Sequence, residues 1–199
     1  MQIKIFDTFK AGIVAHLHIS GISTGFISSL GVGFVTALYE AISEDQNSFC
    51  FVAQEDEQVL GFVAFSCNLG KLYKYVLKRK FFRFAPKIAF RMLNFTTFKK
   101  VVANLLYPSK MSKMDLPDAE LLSIVVAPEG RGRGVASELT RAGFDECRRR
   151  GINRVKVLVA ADNEPANRLY QKVGFKFHSQ IESHGVLSNV YVVELGIRN

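Results

Sequence analysis

The residues with the clearest chemical potential lie in a glycine-rich run at positions 121–136, which reads L-L-S-I-V-V-A-P-E-G-R-G-R-G-V-A. A buried strand is expected to end at Val126, and Gly130, Gly132 and Gly134 then lead into a helix. Glycines let a backbone approach a ligand closely, and the first N–H groups of a helix, at the positive end of its dipole, bind anions. The pattern therefore predicts a binding site for a diphosphate.

Two familiar nucleotide-binding loops do not fit this run. No Lys-Ser or Lys-Thr pair follows the glycines, which excludes the phosphate-binding loop of the P-loop NTPases. The glycine spacing is not G-x-G-x-x-G, and the acidic residue expected about twenty positions further along is missing, which excludes the dinucleotide fingerprint. A different diphosphate ligand is indicated.

The segment Arg131–Ala136 resembles the acyl-CoA loop of the GNAT N-acetyltransferases, whose signature is Arg or Gln, two residues, Gly, one residue, and Gly or Ala. A second part of the family's pattern, N-x-x-A-x-x-L-Y-x-x-x-G-F, is matched by residues 163–175, which read N-E-P-A-N-R-L-Y-Q-K-V-G-F. The resemblance is specific over residues 119–177. On these residues the chain is identified as a member of that superfamily.

The resemblance implies an α/β fold, the GNAT fold, with a mixed central sheet of about six to seven strands that splays at the acyl-CoA site. It implies acetyl-CoA as the cosubstrate, no metal, and direct attack of a substrate amine on the thioester in a ternary complex. The cofactor-binding residues implied are the loop backbone, a strand that pairs with pantetheine, and two later residues: Arg131, Gly132, Arg133, Gly134, Val135 and Ala136; Ile124, Val125 and Val126; Asn163 and Tyr170. Asn163 is also placed to cap a helix at Ala166.

Two residues are predicted to be catalytic. Tyr170 occupies the position from which family members protonate the leaving thiolate, and a phenol with a pKa of about 10 stays protonated beside a thiol with a pKa of about 8.5. Glu120 resembles the glutamate that histone-type members use as a general base, and a partly buried carboxylate can have its pKa raised toward neutrality. The structural alternatives are a packing tyrosine and a solvated strand end.

Other candidates carry less weight in the sequence. Protein N-acetyltransferases of the ribosomal type commonly have a glutamate where this chain has Leu158, which disfavours that substrate class. His178 and His184, in the last hairpin near where family members admit the acceptor, are expected to have surface or structural roles. His16 and His18, on the first helix, could face the acceptor cleft.

The elements that position these residues follow from hydrophobic periodicity. Alternation predicts strands at 2–6, 48–53 and 59–67, with a bulge at Gly61, and helical spacing predicts helices at 8–20 and 26–42, with a break near Gly31. After the glycine-rich loop the pattern predicts a helix, a strand, a short helix and two strands, at 135–150, 154–159, 165–173, 176–182 and 189–195.

Twelve lysines and arginines, and no acidic residue, lie between Lys71 and Lys113, inside a helical insert predicted at about 70–114. The twelve positive charges of this segment account for all of the chain's net charge of +8. A solvated helical face explains the charge without a ligand. An anionic substrate such as a nucleotide-linked amino sugar, an anionic membrane surface and, least favoured, nucleic acid are the functional alternatives.

With 199 residues, 48% of them hydrophobic, the chain is expected to form a single domain over 1–199. Three cysteines suggest neither a disulfide framework nor a zinc site, and no signal peptide or membrane span is recognised, so a cytoplasmic location is expected, with attachment to the inner face of the membrane left open. The predicted function is acetyl-CoA-dependent N-acetylation of a primary amine on a small molecule or amino sugar. The alternatives are a non-catalytic CoA-binding protein that uses its basic helices for a membrane or protein partner, and a protein or peptide N-acetyltransferase; a homodimer is left open.

Overall fold

The computed structural model describes residues 1–23, 25–76, 115–183 and 186–196. These ranges contain seven strands: β1 Gln2–Ile5, β2 Ser48–Glu55, β3 Gln58–Ser66, β4 Glu120–Val126, β5 Arg154–Ala160, β6 Lys176–Ser183 and β7 Val186–Glu194. They also contain six helices: α1 Ala11–Gly21, α2 Phe26–Ser29, α3 Val32–Glu44, α4 at residues 69–76, α5 Val135–Arg149 and α6 Glu164–Lys172. Short 3₁₀ turns lie at Thr8–Lys10 and Pro128–Gly130.

The strands form one mixed sheet in the order β1-β2-β3-β4-β5-β7-β6, in which β4 and β5 are parallel and the other neighbours are antiparallel. Because side chains alternate across a strand, each face of the sheet buries its own apolar set. One face packs on α5 and α6 through residues such as Leu121 and Val157, and the other packs on α1, α3 and α4 through residues such as Val14 and Leu72. This architecture confirms the predicted fold class.

The predicted helix break near Gly31 is confirmed, and the predicted β-bulge is present beside Gly61 rather than at it. The second helix is divided into α2 and α3 at Gly31, whose φ of 88° lies in the left-handed region that glycine adopts without strain. In the β2–β3 hairpin, Ala53 pairs with Gly61 and Gln54 with Val59, so Leu60 is the extra residue of a β-bulge. The bulge thus lies one residue from the predicted glycine.

Helix α4 is the start of the predicted basic insert. Leu72 is buried while Lys71 and Lys74 are exposed, so this helix has an apolar and a charged face. The other ten basic residues of the insert lie outside the described residues, and the single-domain organisation over 1–199 therefore stays a prediction. In the described part of the chain, no helix is both long enough and apolar enough to cross a membrane.

Candidate active site

The centre of the sheet opens between β4 and β5. These strands pair at Glu120 with Lys156 and at Leu121 with Val157, and no further pairs between them are present in the described ranges. Strand β4 keeps its pairing with β3 as far as Val126, and β5 keeps its pairing with β7 as far as Ala160. The two strands therefore diverge into what we call the β4–β5 gap, where the inner edge of β4 offers backbone donors and acceptors to a ligand.

The glycine-rich loop connects this edge to the N-terminus of α5. Gly132 and Gly134 have φ values of 74° and 80°, and a Cβ atom built on either would have no neighbouring atom within 4 Å. Gly134 is the N-cap of α5 and supplies no side-chain hydrogen bond. Among the described residues, the N–H groups of residues 132–137 donate to no backbone carbonyl, and Glu138 is the first to do so, to the Gly134 oxygen at 3.1 Å. The loop thus presents a row of backbone donors at the positive end of a helix.

A cavity of about 280 Å³ lies beside this loop. Six of the predicted cofactor-binding residues line it: Val126, Arg131, Gly132, Gly134, Val135 and Ala136. Gly130, Ser137 and Lys172 also line it and were not predicted. Lys172 lies in the last turn of α6, two residues after Tyr170, and its ammonium adds positive charge to the cavity wall. Its only signal in the sequence is that spacing from the tyrosine.

The two arginines of the loop have different environments. The guanidinium of Arg133 donates to both carboxylate oxygens of Glu55 on β2, at 2.8 and 2.9 Å, and this pairing lowers the pKa of Glu55. The Arg131 side chain lines the cavity, and its Nε donates to the Val126 oxygen at 3.4 Å. Arg133 is therefore available to a ligand in the cavity mainly through its backbone.

Tyr170 is buried on α6, with its ring in edge contact with Phe175 at a centroid distance of 5.6 Å. Burial raises the pKa of Tyr170, so the phenol is held in its protonated form. No group in the described ranges makes a hydrogen bond to its hydroxyl. The residue packs between helix and sheet, as one alternative predicted, and no described neighbour engages its hydroxyl proton. It does not line the cavity beside the loop, and neither do Glu120, Asn163, Ile124 or Val125.

The start of α6 is fixed by two asparagines. The Asn163 Oδ1 accepts a hydrogen bond from the Ala166 N–H at 3.3 Å, which is the predicted helix cap. Asn167 donates through Nδ2 to the oxygens of Ala160 and Asn163, at 3.0 and 2.8 Å, and its Oδ1 accepts from the Tyr191 hydroxyl at 2.8 Å. Asn167 therefore joins the end of β5, the first turn of α6 and β7, a role that the sequence did not reveal.

Glu120 is buried at the closed end of the β4–β5 gap, where the pairing stops. Its Oε2 lies 3.5 Å from the Nζ of Lys156, which is 3% exposed and also donates to the oxygens of Pro117 and Asp118 at 2.5 and 3.3 Å. Helix α4 lies close to Glu120: burial, together with the nearby charge of Glu120, raises the pKa of Tyr73 on that helix. The glutamate is thus a buried, ion-paired carboxylate rather than a solvated strand end.

A sequence profile described as "Acetyltransferase (GNAT) family" matches residues 23–175, which is more than half of the chain. The chain belongs to the acetyltransferase (GNAT) family. Solved structures of GNAT proteins share its fold: a putative acetyltransferase of Desulfovibrio desulfuricans is 14% identical with a TM-score of 0.64, covering 98% of this chain and 99% of that one. A putative acetyltransferase of Salmonella typhimurium, solved with its cofactor acetyl-CoA, is 15% identical with a TM-score of 0.63, covering 99% of this chain and 95% of that one.

Curated relatives of this GNAT chain include several mycothiol acetyltransferases. That of Saccharomonospora viridis is 38% identical over 60 residues, 30% of this chain and 20% of the relative. That of Rhodococcus jostii is 36% identical over 63 residues, 31% of this chain and 21% of the relative. The GNAT chain therefore spans about a fifth of the length of these relatives.

The cavity beside the loop fits the diphosphate of CoA, the acyl carrier of the GNAT family. Space above Gly132 and Gly134, backbone N–H groups without carbonyl partners, and the cation of Lys172 are what a phosphate group requires. Among the described residues, no three side chains of the types that bind metal ions lie together as a metal site would require.

The histidines of this GNAT chain divide into buried and exposed groups. His18 on α1 is 4% exposed, its Nδ1 lies 2.7 Å from the Tyr39 hydroxyl, and burial lowers its pKa to about 4. His16 and His178 are exposed, and His184 lies outside the described residues. His18 is therefore a neutral core histidine at neutral pH.

Proposed function

We propose that this chain is an acetyl-CoA-dependent N-acetyltransferase that acts on a primary amine of a small molecule or amino sugar. The observation that carries the proposal is the loop at the start of α5, where two left-handed glycines leave a row of N–H donors beside a cavity and next to the β4–β5 gap. A protein that used α5 only as a structural element would more commonly cap its N-terminus with a side chain.

Different residues of the site would bind different parts of acetyl-CoA. The backbone of residues 131–136, with Lys172, would hold the diphosphate, and the inner edge of Ile124–Val126 would pair with the pantetheine as an added strand. Asn163 would remain the helix cap at Ala166 and, as the family resemblance implies, contact the pantetheine arm of CoA. When bound, acetyl-CoA supplies a thioester carbonyl that an amine can attack.

Two side chains would handle protons in this reaction. The Tyr170 Oη holds a proton that burial keeps in place, so it would serve as the donor to the departing sulfur. Glu120 would accept a proton from the amine at the closed end of the gap, and the ammonium of Lys156, 3.5 Å away, would hold the carboxylate in position. In both roles a buried side chain gives or takes a proton at a defined position, which general acid–base catalysis requires.

The basic insert supports an anionic acceptor, such as a nucleotide-linked amino sugar. Ten of its twelve cations lie outside the described residues, so the argument rests on the sequence and on the exposed Lys71 and Lys74. Affinity that depends on exposed charge weakens with salt, because screening acts over about 8 Å at physiological ionic strength. A nucleotide-linked amino sugar that binds at low salt and is released at high salt would support this; binding to anionic liposomes instead would favour a membrane surface.

Calorimetry with acetyl-CoA tests the proposal, using Gly132→Val and Gly134→Val. Both side chains would enter the space where the phosphates are expected, so affinity should fall at least tenfold. Gly151→Val is the matched control: Gly151 also has a φ of 74° and open space around it, but it follows the C-terminus of α5. It should carry the same backbone strain and retain acetyl-CoA binding. Absence of binding in the parent chain, or equal affinity in all four proteins, would refute the proposal.

The acceptor is sought separately, by measuring CoA release with acetyl-CoA and a panel of amines. The panel holds glucosamine as an amino sugar of the proposed class, together with spermidine and a peptide with N-terminal alanine, which the names of two structurally similar proteins print. Turnover of glucosamine would support the proposed class. Turnover of the peptide alone would replace it with a peptide N-acetyltransferase, and binding without any turnover would favour the non-catalytic alternative.

A further inference from the structure

The two ends of the basic insert meet beside Glu120. Asn68, the last residue before α4, and Asp118, two residues before β4, lie 50 positions apart in the sequence, and the Asn68 Nδ2 donates a hydrogen bond to the Asp118 Oδ2 at 3.0 Å. We call this hydrogen bond the insert clasp. It forms because β3 and β4 are antiparallel, with Ser66 paired to Glu120, so the residues that follow β3 lie beside those that precede β4.

The orientation of the Asn68 amide is fixed by α4. Its Oδ1 accepts a hydrogen bond from the N–H of Lys71 at 2.9 Å, which makes Asn68 the N-cap of that helix. A backbone N–H can only donate, so the amide oxygen faces Lys71 and the amide nitrogen faces the carboxylate of Asp118, which accepts. Asn68 thus caps the helix through its oxygen and forms the insert clasp through its nitrogen, and a substitution can separate the two roles.

The backbone beside the insert clasp holds Lys156. The Lys156 Nζ donates to the oxygens of Pro117 and Asp118 at 2.5 and 3.3 Å and lies 3.5 Å from the Glu120 Oε2. An ammonium has three donors, and here it has three acceptors. The backbone N–H of Lys156 also donates to the Ala119 oxygen at 2.9 Å, which fixes the start of the side chain. The two carbonyl oxygens therefore set the position of the ammonium, and the ammonium sets the position of the carboxylate.

We propose that Asn68 and Asp118 are positioning residues, which act through Lys156 to hold the Glu120 carboxylate where an acceptor amine can give it a proton. The inference rests on the proposed function, because it takes Glu120 as the general base. It adds that both ends of the basic insert take part in proton transfer, since the insert clasp holds the turn at 117–118 against the start of α4. A displacement of about 1 Å can lower a catalysed rate about a hundredfold, so the insert clasp can control kcat.

The first test is steady-state kinetics with whichever amine of the panel is turned over. Asn68→Asp keeps an oxygen for the Lys71 N–H but sets two carboxylates against each other, so it opens the insert clasp and preserves the helix cap. The kcat should fall about tenfold, while the affinity for acetyl-CoA stays the same because the glycine-rich loop lies at the other end of β4. Adding Asp118→Asn exchanges the two side chains and should restore most of the kcat.

The matched control is Asn47→Asp. The Asn47 Nδ2 donates to the Asp45 Oδ1 at 3.3 Å, so this variant also sets two carboxylates against each other, in the turn before β2. Its kcat should match the parent's. A kcat that falls equally in Asn47→Asp and Asn68→Asp would overturn the inference.

A double-mutant cycle shows whether the insert clasp acts through Glu120. In the Glu120→Gln variant the base is absent, so adding Asn68→Asp should lower kcat no further. Two losses that multiply would mean that the clasp supports the fold in general, and a raised KM for the amine with an unchanged kcat would mean that it acts on acceptor binding. Either result, or a kcat that Glu120→Gln leaves unchanged, would overturn the inference and leave the proposed N-acetylation intact.

The second test needs no acceptor. Carbon-13 NMR of a chain labelled at glutamate, with the Glu120 signal assigned by its loss in Glu120→Gln, follows the titration of this carboxylate, whose neighbours include Lys156 on β5 and Tyr73 on α4. Because withdrawal of the ammonium favours the neutral carboxyl, the midpoint should rise by about one pH unit in Asn68→Asp and return when Asp118→Asn is added. An unchanged midpoint would overturn the inference whether or not an acceptor is found. Absence of acetyl-CoA binding and of any turnover would instead refute the proposed function, and the catalytic role of the insert clasp with it.

Discussion

Acidification should destabilise this protein through His18. The residue is 4% exposed, and burial lowers its pKa from 6.5 to about 4, with no charged group contributing to the shift. The folded state therefore resists a proton that the unfolded chain accepts. When the pKa of a histidine is lowered on folding, the stability of the protein is unaffected above pH 6.5 and decreases as the pH falls from 6.5 toward 4.

The size of the effect follows from linkage. With those two pKa values, His18 should lower the free energy of unfolding by about 2 kcal/mol between pH 7 and pH 5. His18→Asn removes the titration and keeps a polar atom near the position of Nδ1 for the Tyr39 hydroxyl. The difference in unfolding free energy between parent and His18→Asn, measured by urea denaturation, should therefore fall by that amount over this pH range.

A matched control lies two residues away. His16 is exposed on the same helix, and His16→Asn should keep the steep loss of stability that the parent shows below pH 6.5. The reasoning would be refuted by a difference between parent and His18→Asn that stays constant from pH 7 to pH 5. It would be refuted equally if NMR titration of His18 gave a midpoint near 6.5.

Four further substitutions test the site. Tyr170→Phe should lower kcat at least tenfold while acetyl-CoA affinity and unfolding free energy stay the same, because the hydroxyl has no described hydrogen-bond partner; an unchanged kcat would make Tyr170 structural. Lys156→Met should cost about 3–5 kcal/mol in urea denaturation by removing the ammonium opposite Glu120, and Glu120→Gln added to it should recover part of the loss, whereas simple additivity would contradict the pairing. Asn167→Asp should cost roughly 1–3 kcal/mol and raise the KM for acetyl-CoA, because a carboxylate cannot donate to the carbonyl oxygens at the start of α6; a variant as stable as the parent would contradict this.

The parts of the site that were predicted correctly are those determined by residues adjacent to one another in the sequence. The glycine loop, the cap at Asn163 and the helix break at Gly31 are local patterns in which backbone conformation restricts the residue type, so spacing alone identifies them. Glu120 illustrates the limit. Its position at a strand end was predicted, but its pairing with Lys156 depends on the register of β4 and β5, which no local pattern contains.

The contact between His18 and Tyr39 was not predicted for a related reason. The two residues lie 21 positions apart along the sequence and come together only when α1 packs on α3. The bulge in β4, where Leu122 is an extra residue because Ala64 pairs with Ser123 and Phe65 with Leu121, was not predicted either, because no glycine or proline in β4 marks it. A serine in a run of apolar strand residues is the single signal, and by itself it does not distinguish a bulge from a solvent-facing position.

The short pairing between β4 and β5 has a mechanical consequence. Four strands lie on one side of that junction and three on the other, and two residue pairs with the Lys156 contacts join them through the sheet itself. The halves should behave as two cooperative units whose coupling is weakest at this seam, so that amide protons of β4 directed toward β5 exchange faster than those directed toward β3. A molecule that bridges the β4–β5 gap would act as a missing strand. Its binding should slow amide-proton exchange in both halves of the sheet and raise the Tm by an amount that grows with the concentration of the molecule.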